Sequence, residues 1–443
     1  MFDTGSHMLN TLSDLVGEPF TEVTAWLDNR NKPVDIVGTV MARTKSGVLL
    51  TMMACGASIP SIGSEIKIFG TDATIRTGIW GEFLEIQKRG DESMVNGELI
   101  LDRMAQTVVP DESLLKRFDI DFRWLVPNWV QVTEREDVPG YIDMWGVPYK
   151  ATEDRDHYVV DGAPMRPATL ETLDDYPWPD AHDPEQFKGL RERAKFLYEN
   201  TDYVIGADAI KAGILMNSLQ LRGYDQFFID LAIDKPFAEA LMDKILVTLK
   251  DMWTHYMEEV GEYVQVAYVT DDYGSQSSLL ISPRMFRQLI KPRVKELNDH
   301  IKSLADVKIM FHSDGAVLPL ARDFVDMNVD ILNPVQTSVS GLEDTFSLKN
   351  DFGDQLSFHG AIDVQQMLPN ASTGELEQEI ARRIYDLGRS GGYILAPCHN
   401  IGHDIPPENV VTLFEKAREY GRDPESLKAM VEQGNSYFAR QRL

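Results

Sequence analysis

Hydrophobic and polar positions follow two different rhythms along the chain. In "SHMLNTLSDLVGE" apolar residues recur at helical spacing, with Ser6 placed to cap the start and Gly17 to end it. The pattern then shortens. "VDIVGTVMART", a "KSG" turn and "VLLTMMACG" read as a β-hairpin. "EIKIFGTDATIRTGIWGEFLEIQ" reads as two or three more strands, with turns at Gly70-Thr71-Asp72 and Gly78. Residues 1–90 are therefore expected to form a small α+β unit, an open antiparallel sheet with one helix.

From about residue 108 strands alternate with helices. Seven short apolar runs qualify as strands: "FDIDFRWLVP", "DYVIGADA", "VQVAYVTDD", "VKIMFHSDG", "VDILNPV", "LSFHGAI" and "GYILAPC". Helix-length segments lie between them at 235–260, 284–303, 316–326, 373–390 and 407–420. This alternation means a parallel sheet, and strands apolar on both faces suit a barrel interior. A closed (β/α)8 TIM-type barrel needs eight strands. The missing one should precede "FDIDFRWLVP". The expected organisation is 1–90 as the α+β fragment, 91–107 as a junction or linker, and 108–443 as the barrel.

Composition narrows the function. An apolar content of 43% supports a sizeable core, and a net charge of −27 argues against nucleic acid or an anionic membrane surface as partner. Only Cys55 and Cys398 occur, which leaves no disulfide framework and suits a reducing compartment. No run of 18 apolar residues and no signal peptide is found. A soluble, cytoplasmic protein is expected.

Barrels place chemistry at the carboxyl ends of their strands. His312 and Asp314, at positions i and i+2, project to the same side of a strand end. Cys398 and His399 end another strand, Asp271, Asp272 and Tyr273 a third, and His359 a fourth. A thiolate, an imidazole and a carboxylate together make a zinc site with an open position. The competing reading is a local turn, with Asp314 capping the next helix. The aromatic loops around Trp145 and Trp178 are expected to pack against the barrel rim, and His403-Asp404 to close a loop.

The second region resembles the uroporphyrinogen decarboxylase superfamily, which includes zinc-dependent methyltransferases of corrinoid systems. The stretches that carry the resemblance are "PDESLLKRFDIDFRWLVP", "DMWGVPY", "LDDYPWPD", "LLISPRMFRQLIKPRVKEL", "SFHGAIDVQQML" and "LAPCHNIGHDIPPENV". The resemblance implies a (β/α)8 barrel. The corrinoid-type methyltransferases hold zinc with a His-x-Cys pair and a later Cys. His312 matches the histidine and Cys398 the later cysteine, while Asp314 replaces the middle ligand. The implied chemistry is zinc-assisted methyl transfer, with metal at His312, Asp314 and Cys398, a corrinoid protein as partner, and Asp271, Asp272 and Tyr273 orienting the acceptor.

The alternative within the superfamily is metal-free decarboxylation of uroporphyrinogen, in porphyrin biosynthesis. That enzyme's second-strand aspartate falls at Phe122, with Asp121 one residue early. "DAIKAGILMNS" after Gly206-Ala207 holds no tyrosine where the decarboxylase has one. Its loop histidine is matched by His399 as a catalytic residue.

The first region, "FDTGSHMLNTLSDLVGE" and a sheet ending in "IFGTDATIRTG", resembles the C-terminal domain of Gfo/Idh/MocA oxidoreductases. "GSHM" at 5–8 is then native sequence rather than a tag remnant. Asp3 and His7 match that family's D-x-G-x-H stretch, but no Gly-rich dinucleotide turn is found, so no NAD cofactor is expected. Two incomplete pieces in one chain leave a non-catalytic or misassembled fusion as a further alternative.

Overall fold

A computed structural model describes residues 112–433 except 129, 154–156 and 403, and, before them, a set of strands and single residues between 20 and 110. The chain divides into two compact units, 1–102 with 107–109, and 103–106 with 110–443. Each is described by itself.

The first unit is a seven-stranded antiparallel meander. It comprises β1 (Phe20–Asp28), β2 (Val37–Thr44), β3 (Leu49–Cys55), β4 (Glu65–Phe69), β5 (Ala73–Gly78), β6 (Leu84–Lys88) and β7 (Val95–Asn96), each paired with the next. The hairpin read from "VGTVMART" and "LLTMMAC" is β2–β3, in register from Val37↔Cys55 to Arg43↔Leu49. β1 was not anticipated. A two-stranded pair, β8 (Ile100–Asp102) and β9 (Thr107–Val108), follows. The helix expected from Ser6 to Gly17, with Asp3 and His7, lies outside the described residues.

The second unit is built on a seven-stranded parallel sheet of the TIM-barrel type. Its strands are β10 (Phe122–Leu125), β15 (Val204–Ala207), β16 (Val266–Thr270), β17 (Lys308–His312), β18 (Ile331–Val335), β19 (Ser357–Ile362) and β20 (Tyr393–Pro397), in that spatial order. All seven coincide with the runs read from sequence. Among the described residues β10 pairs with β15 alone and β20 with β19 alone, so the sheet is open between them.

Period-2 alternation divides each strand between two cores. Val266, Met310 and Ile331 pack with Phe122, Trp124, Val204, Tyr268 and Ile394 inside the curve of the sheet. Their sequence neighbours, among them Ile205, Ala267, Ile309, Phe311 and Leu332, face the helices. The interior is tight. A Cβ on Gly206 would lie 2.3 Å from the Trp124 ring, so only glycine admits that indole.

Helices alternate with the strands, among them α1 (Ile214–Arg222), α2 (Lys235–Val260), α3 (Lys291–Leu304), α4 (Thr373–Gly388) and α5 (Pro407–Tyr420). Their ends follow local rules. Asp234 accepts from Phe237 N at the start of α2, where a proline sits in the first turn, and Ser372 with Glu375 forms a capping box for α4. The segment read as one helix over 284–303 is a short turn, a π-helical stretch Phe286–Ile290, and then α3. Between β10 and β15 lies a four-stranded antiparallel sheet, β11 (Thr133–Glu134), β12 (Gly140–Ile142), β13 (Pro148–Ala151) and β14 (Tyr158–Val160), absent from the sequence-based expectation. Trp145 is fully buried beside it and meets Trp178 edge to face at 6.3 Å, a packing role for both.

Candidate metal centre at the strand ends

β17 delivers His312 as its last residue, and the chain then turns through Ser313 and Asp314 into Gly315, whose φ of +90° is left-handed. Gly274 and Gly315 touch backbone to backbone, and a Cβ on Gly315 would lie 2.4 Å from the Gly274 carbonyl carbon. Two glycines thus let the turns after β16 and β17 close on each other. The contact brings Asp272 beside Asp314, whose N–H donates to Asp272 Oδ1 at 2.8 Å.

Three side chains converge there. His312, Asp314 and His399 each offer one donor atom, and these atoms lie within 4.8 Å of one another. His312 Nε2 is 3.9 Å from Asp314 Oδ2, and His399 Nε2 is 3.9 Å from the same oxygen. Asp272 Oδ1 borders the group, 3.8 Å from His312 Nε2. Ligands around one tetrahedral zinc sit about 3.4 Å apart, given bonds of about 2.1 Å. Each donor would move by a few tenths of an ångström to meet an ion. Burial pushes the Asp314 carboxyl up, His312 pulls it down and Asp272 pushes it up again. A divalent cation would relieve the repulsion between the two carboxylates.

Behind His312 stands a relay of side chains. His312 Nδ1 lies 2.6 Å from Asn333 Oδ1, and Asn333 Nδ2 lies 2.5 Å from His359 Nδ1. The Tyr268 hydroxyl donates to the same Asn333 oxygen at 3.1 Å. In this arrangement His312 carries its proton on Nδ1 and turns the Nε2 lone pair to the carboxylates, the form a metal ligand requires. Burial lowers the His359 pKa to about 4, so that ring stays neutral and accepts from the amide. Asn333 was not singled out from sequence. Its signal was a lone amide inside the apolar run "VDILNPV", and a buried amide needs partners.

Cys398 is not part of the group. Its thiol is buried and donates to the Val335 carbonyl at 3.2 Å, turned to the backbone rather than to the three donors, and burial pushes its pKa up to about 12. The neighbouring His399, half-exposed, supplies the third donor in its place.

The Asp271-Asp272-Tyr273 triplet divides. Asp272 faces the group. Asp271 is fully buried, and its carboxylate accepts from Leu215 N and Met216 N at 2.8 Å each and from the Tyr273 hydroxyl at 3.1 Å. It caps α1 from a neighbouring strand, and Gly213 is required beside it, since a Cβ there would lie 2.5 Å from Asp271 Cβ. Burial raises the Asp271 pKa to about 7, against the pull of those three donors. Tyr273 is packed against Phe286, Phe311 and Phe324 and does not face the opening. Asp271 and Tyr273 therefore build the wall, and neither is placed to orient an acceptor.

Fold and site together describe a TIM-type barrel sheet with two imidazoles and a carboxylate converging at its carboxyl edge. The profile of the uroporphyrinogen decarboxylase (URO-D) family matches residues 168–420, more than half of the chain, and the chain belongs to that family. The profile of the GFO/IDH/MocA C-terminal domain matches residues 1–76. No curated protein matches the chain. Among solved structures, a methyltransferase from Methanosarcina mazei is similar at 18% identity, covering 62% of this chain and 76% of that chain, with a TM-score of 0.50. A native xylanase 10B from Thermotoga maritima is similar at 12% identity over 57% and 82% of the two chains, TM-score 0.35. A family 5 glycoside hydrolase from Prevotella bryantii B14 is similar at 11% identity over 54% and 78%, TM-score 0.33. The first supports the fold. Among the described residues no helix is long and apolar enough to cross a membrane.

Proposed function

We propose that this URO-D-family enzyme catalyses zinc-assisted methyl transfer between a small methylated substrate and a corrinoid carrier protein. The observation that carries the reading is the convergence of His312, Asp314 and His399 at one strand edge. Two imidazoles and one carboxylate are a donor set that zinc takes in catalytic sites that keep an open position. Zinc bound there would act as a Lewis acid on a heteroatom of the substrate. The chain's own residues do the rest. Asn333 orients His312, and Asp272 borders the open side as a hydrogen-bond acceptor. Tyr268, Trp124 and Met310 make an apolar floor below the group.

Decarboxylation of a porphyrinogen is the weaker reading. The position matched to the decarboxylase aspartate is Phe122, which stacks on Trp124 at 5.7 Å. Arg123 points away from the interior, to Glu112 and to the Ile120 and Phe122 carbonyls. An interior of this kind offers little to a substrate bearing many carboxylates.

The test is metal content after expression in zinc-supplemented medium, followed by incubation with cob(I)alamin and a panel of O- and N-methyl compounds. About one tightly held zinc and the appearance of methylcobalamin are expected. Protein that folds but retains no divalent metal would sink the reading, because the donor set would then serve some other purpose.

A further inference from the structure

A second group of metal-ligating side chains lies away from the strand ends, on α2. Asp251 and His255 are one helical turn apart and share a face. His182 reaches them from the loop between β14 and β15. The donor atoms of His182, Asp251 and His255 lie within 4.8 Å of one another. His182 Nε2 is 3.7 Å from Asp251 Oδ2, and His255 Nε2 is 4.0 Å from Asp251 Oδ1. The two imidazole rings stand 4.2 Å apart between centroids.

The supporting contacts resemble those of built metal sites. His255 Nδ1 meets Glu258 Oε2 at 3.0 Å, which fixes the proton there and leaves Nε2 as the lone-pair donor. The loop that carries His182 is held from both sides. Asp180 accepts the His182 N–H at 2.9 Å, and the Gln131 amide bonds Asp180 N and O at 3.0 Å each. Further along the loop Phe187 stacks on Tyr256, the residue after His255, at 4.7 Å. The loop and helix are therefore placed before any ion arrives, which lowers the ordering cost of binding.

We infer that His182, Asp251 and His255 form a second binding site for a divalent transition metal of the zinc class, which ties the 180–187 loop to α2. Imidazole and carboxylate donors suit zinc, nickel or copper more than calcium or magnesium. Their exposure leaves room for water to complete the coordination. The site owes nothing to the methyl-transfer reading, and stands or falls separately from it.

The test uses the full chain carrying His312→Ala, which disables the strand-end group, titrated calorimetrically with zinc chloride at neutral pH. One equivalent of zinc is expected to bind. Adding His182→Ala or His255→Ala removes that equivalent, and adding Glu258→Gln weakens it about tenfold. In the otherwise unaltered chain His182→Ala lowers the total zinc bound by one equivalent, which covers the case of a poorly folding His312→Ala. Absence of zinc binding, or stoichiometry unchanged by His182→Ala and His255→Ala, overturns the assignment.

Discussion

Two groups of identical composition, each two histidines and an aspartate, sit on this fold in different settings. At the strand ends His312, Asp314 and His399 come from two strands and the turns that follow them, and a buried amide and a second histidine stand behind the first ligand. On α2 the ligands come from a helix and a loop, and the supporting group is the exposed carboxylate of Glu258. The difference teaches that ligand identity alone does not define a metal site. What lies behind the ligands decides how rigidly they are held and how much folding depends on them.

The comparison can be broken outright by His312→Ala. It removes the one ligand backed by the relay, so metal content and methyl transfer at the strand ends should both be lost, read by elemental analysis and methylcobalamin formation. If the variant kept its tightly held ion, the strand-end group would not be the better-built of the two.

Asn333→Leu sharpens the contrast in backing. It strips His312, His359 and Tyr268 of a shared buried partner, at a cost of about 2–4 kcal/mol in unfolding free energy. Metal affinity should fall about 10–100-fold. Glu258→Gln, its counterpart on α2, should leave chemical unfolding unchanged because Glu258 is exposed. Equal stability losses would show that the two histidines are supported alike.

Asp271→Ala should destabilise the barrel by about 2 kcal/mol through loss of the cap on α1. Asp271 also gives a pH signature. Its folded pKa of about 7 lies above the unfolded value of about 4, so the native state holds a proton that the unfolded state releases. Stability from this group is full below about pH 4 and is lost as pH rises through 7. Asp271→Asn should flatten that part of a plot of thermal midpoint against pH. An unchanged slope would remove Asp271 as its source.

Cys398→Ala should have the smallest effect, about 1 kcal/mol or less from a lost thiol and its bond to Val335. Zinc content should stay as it was. Loss of zinc would return Cys398 to the ligand set and detach His399 from it.

Much of the barrel was legible because its strands are apolar runs that end at turn residues, and β10 and β15 to β20 each coincide with such a run. The four-stranded sheet of β11–β14 was not, since its strands are two to four residues long and show no period. β1 was missed although "FTEVTAWLD" alternates. At the site, strand alternation does separate Asp271 from Asp272, yet reading the triplet as one unit hid it. Cys398 and His399 are a harder case. Counting by twos from Ile394 in the interior selects Cys398, but β20 ends at Pro397 and the phase is lost there. Convergence of His312, Asp314 and Asp272 depends on the backbone contact of Gly274 with Gly315, a long-range fact that local sequence does not carry.

The amide between His312 and His359 has a consequence for proton traffic. An imidazole can take a proton on one nitrogen and release it from the other, but a carboxamide gives up and regains protons only at the expense of its conjugation. Asn333 therefore transmits orientation and insulates against charge. A proton set free at the strand ends has no route inward through His359, whose pKa of about 4 also refuses it. Among the described residues the groups that border it on the wet side are the Asp272 carboxylate and the half-exposed His399, and these offer it an outward path.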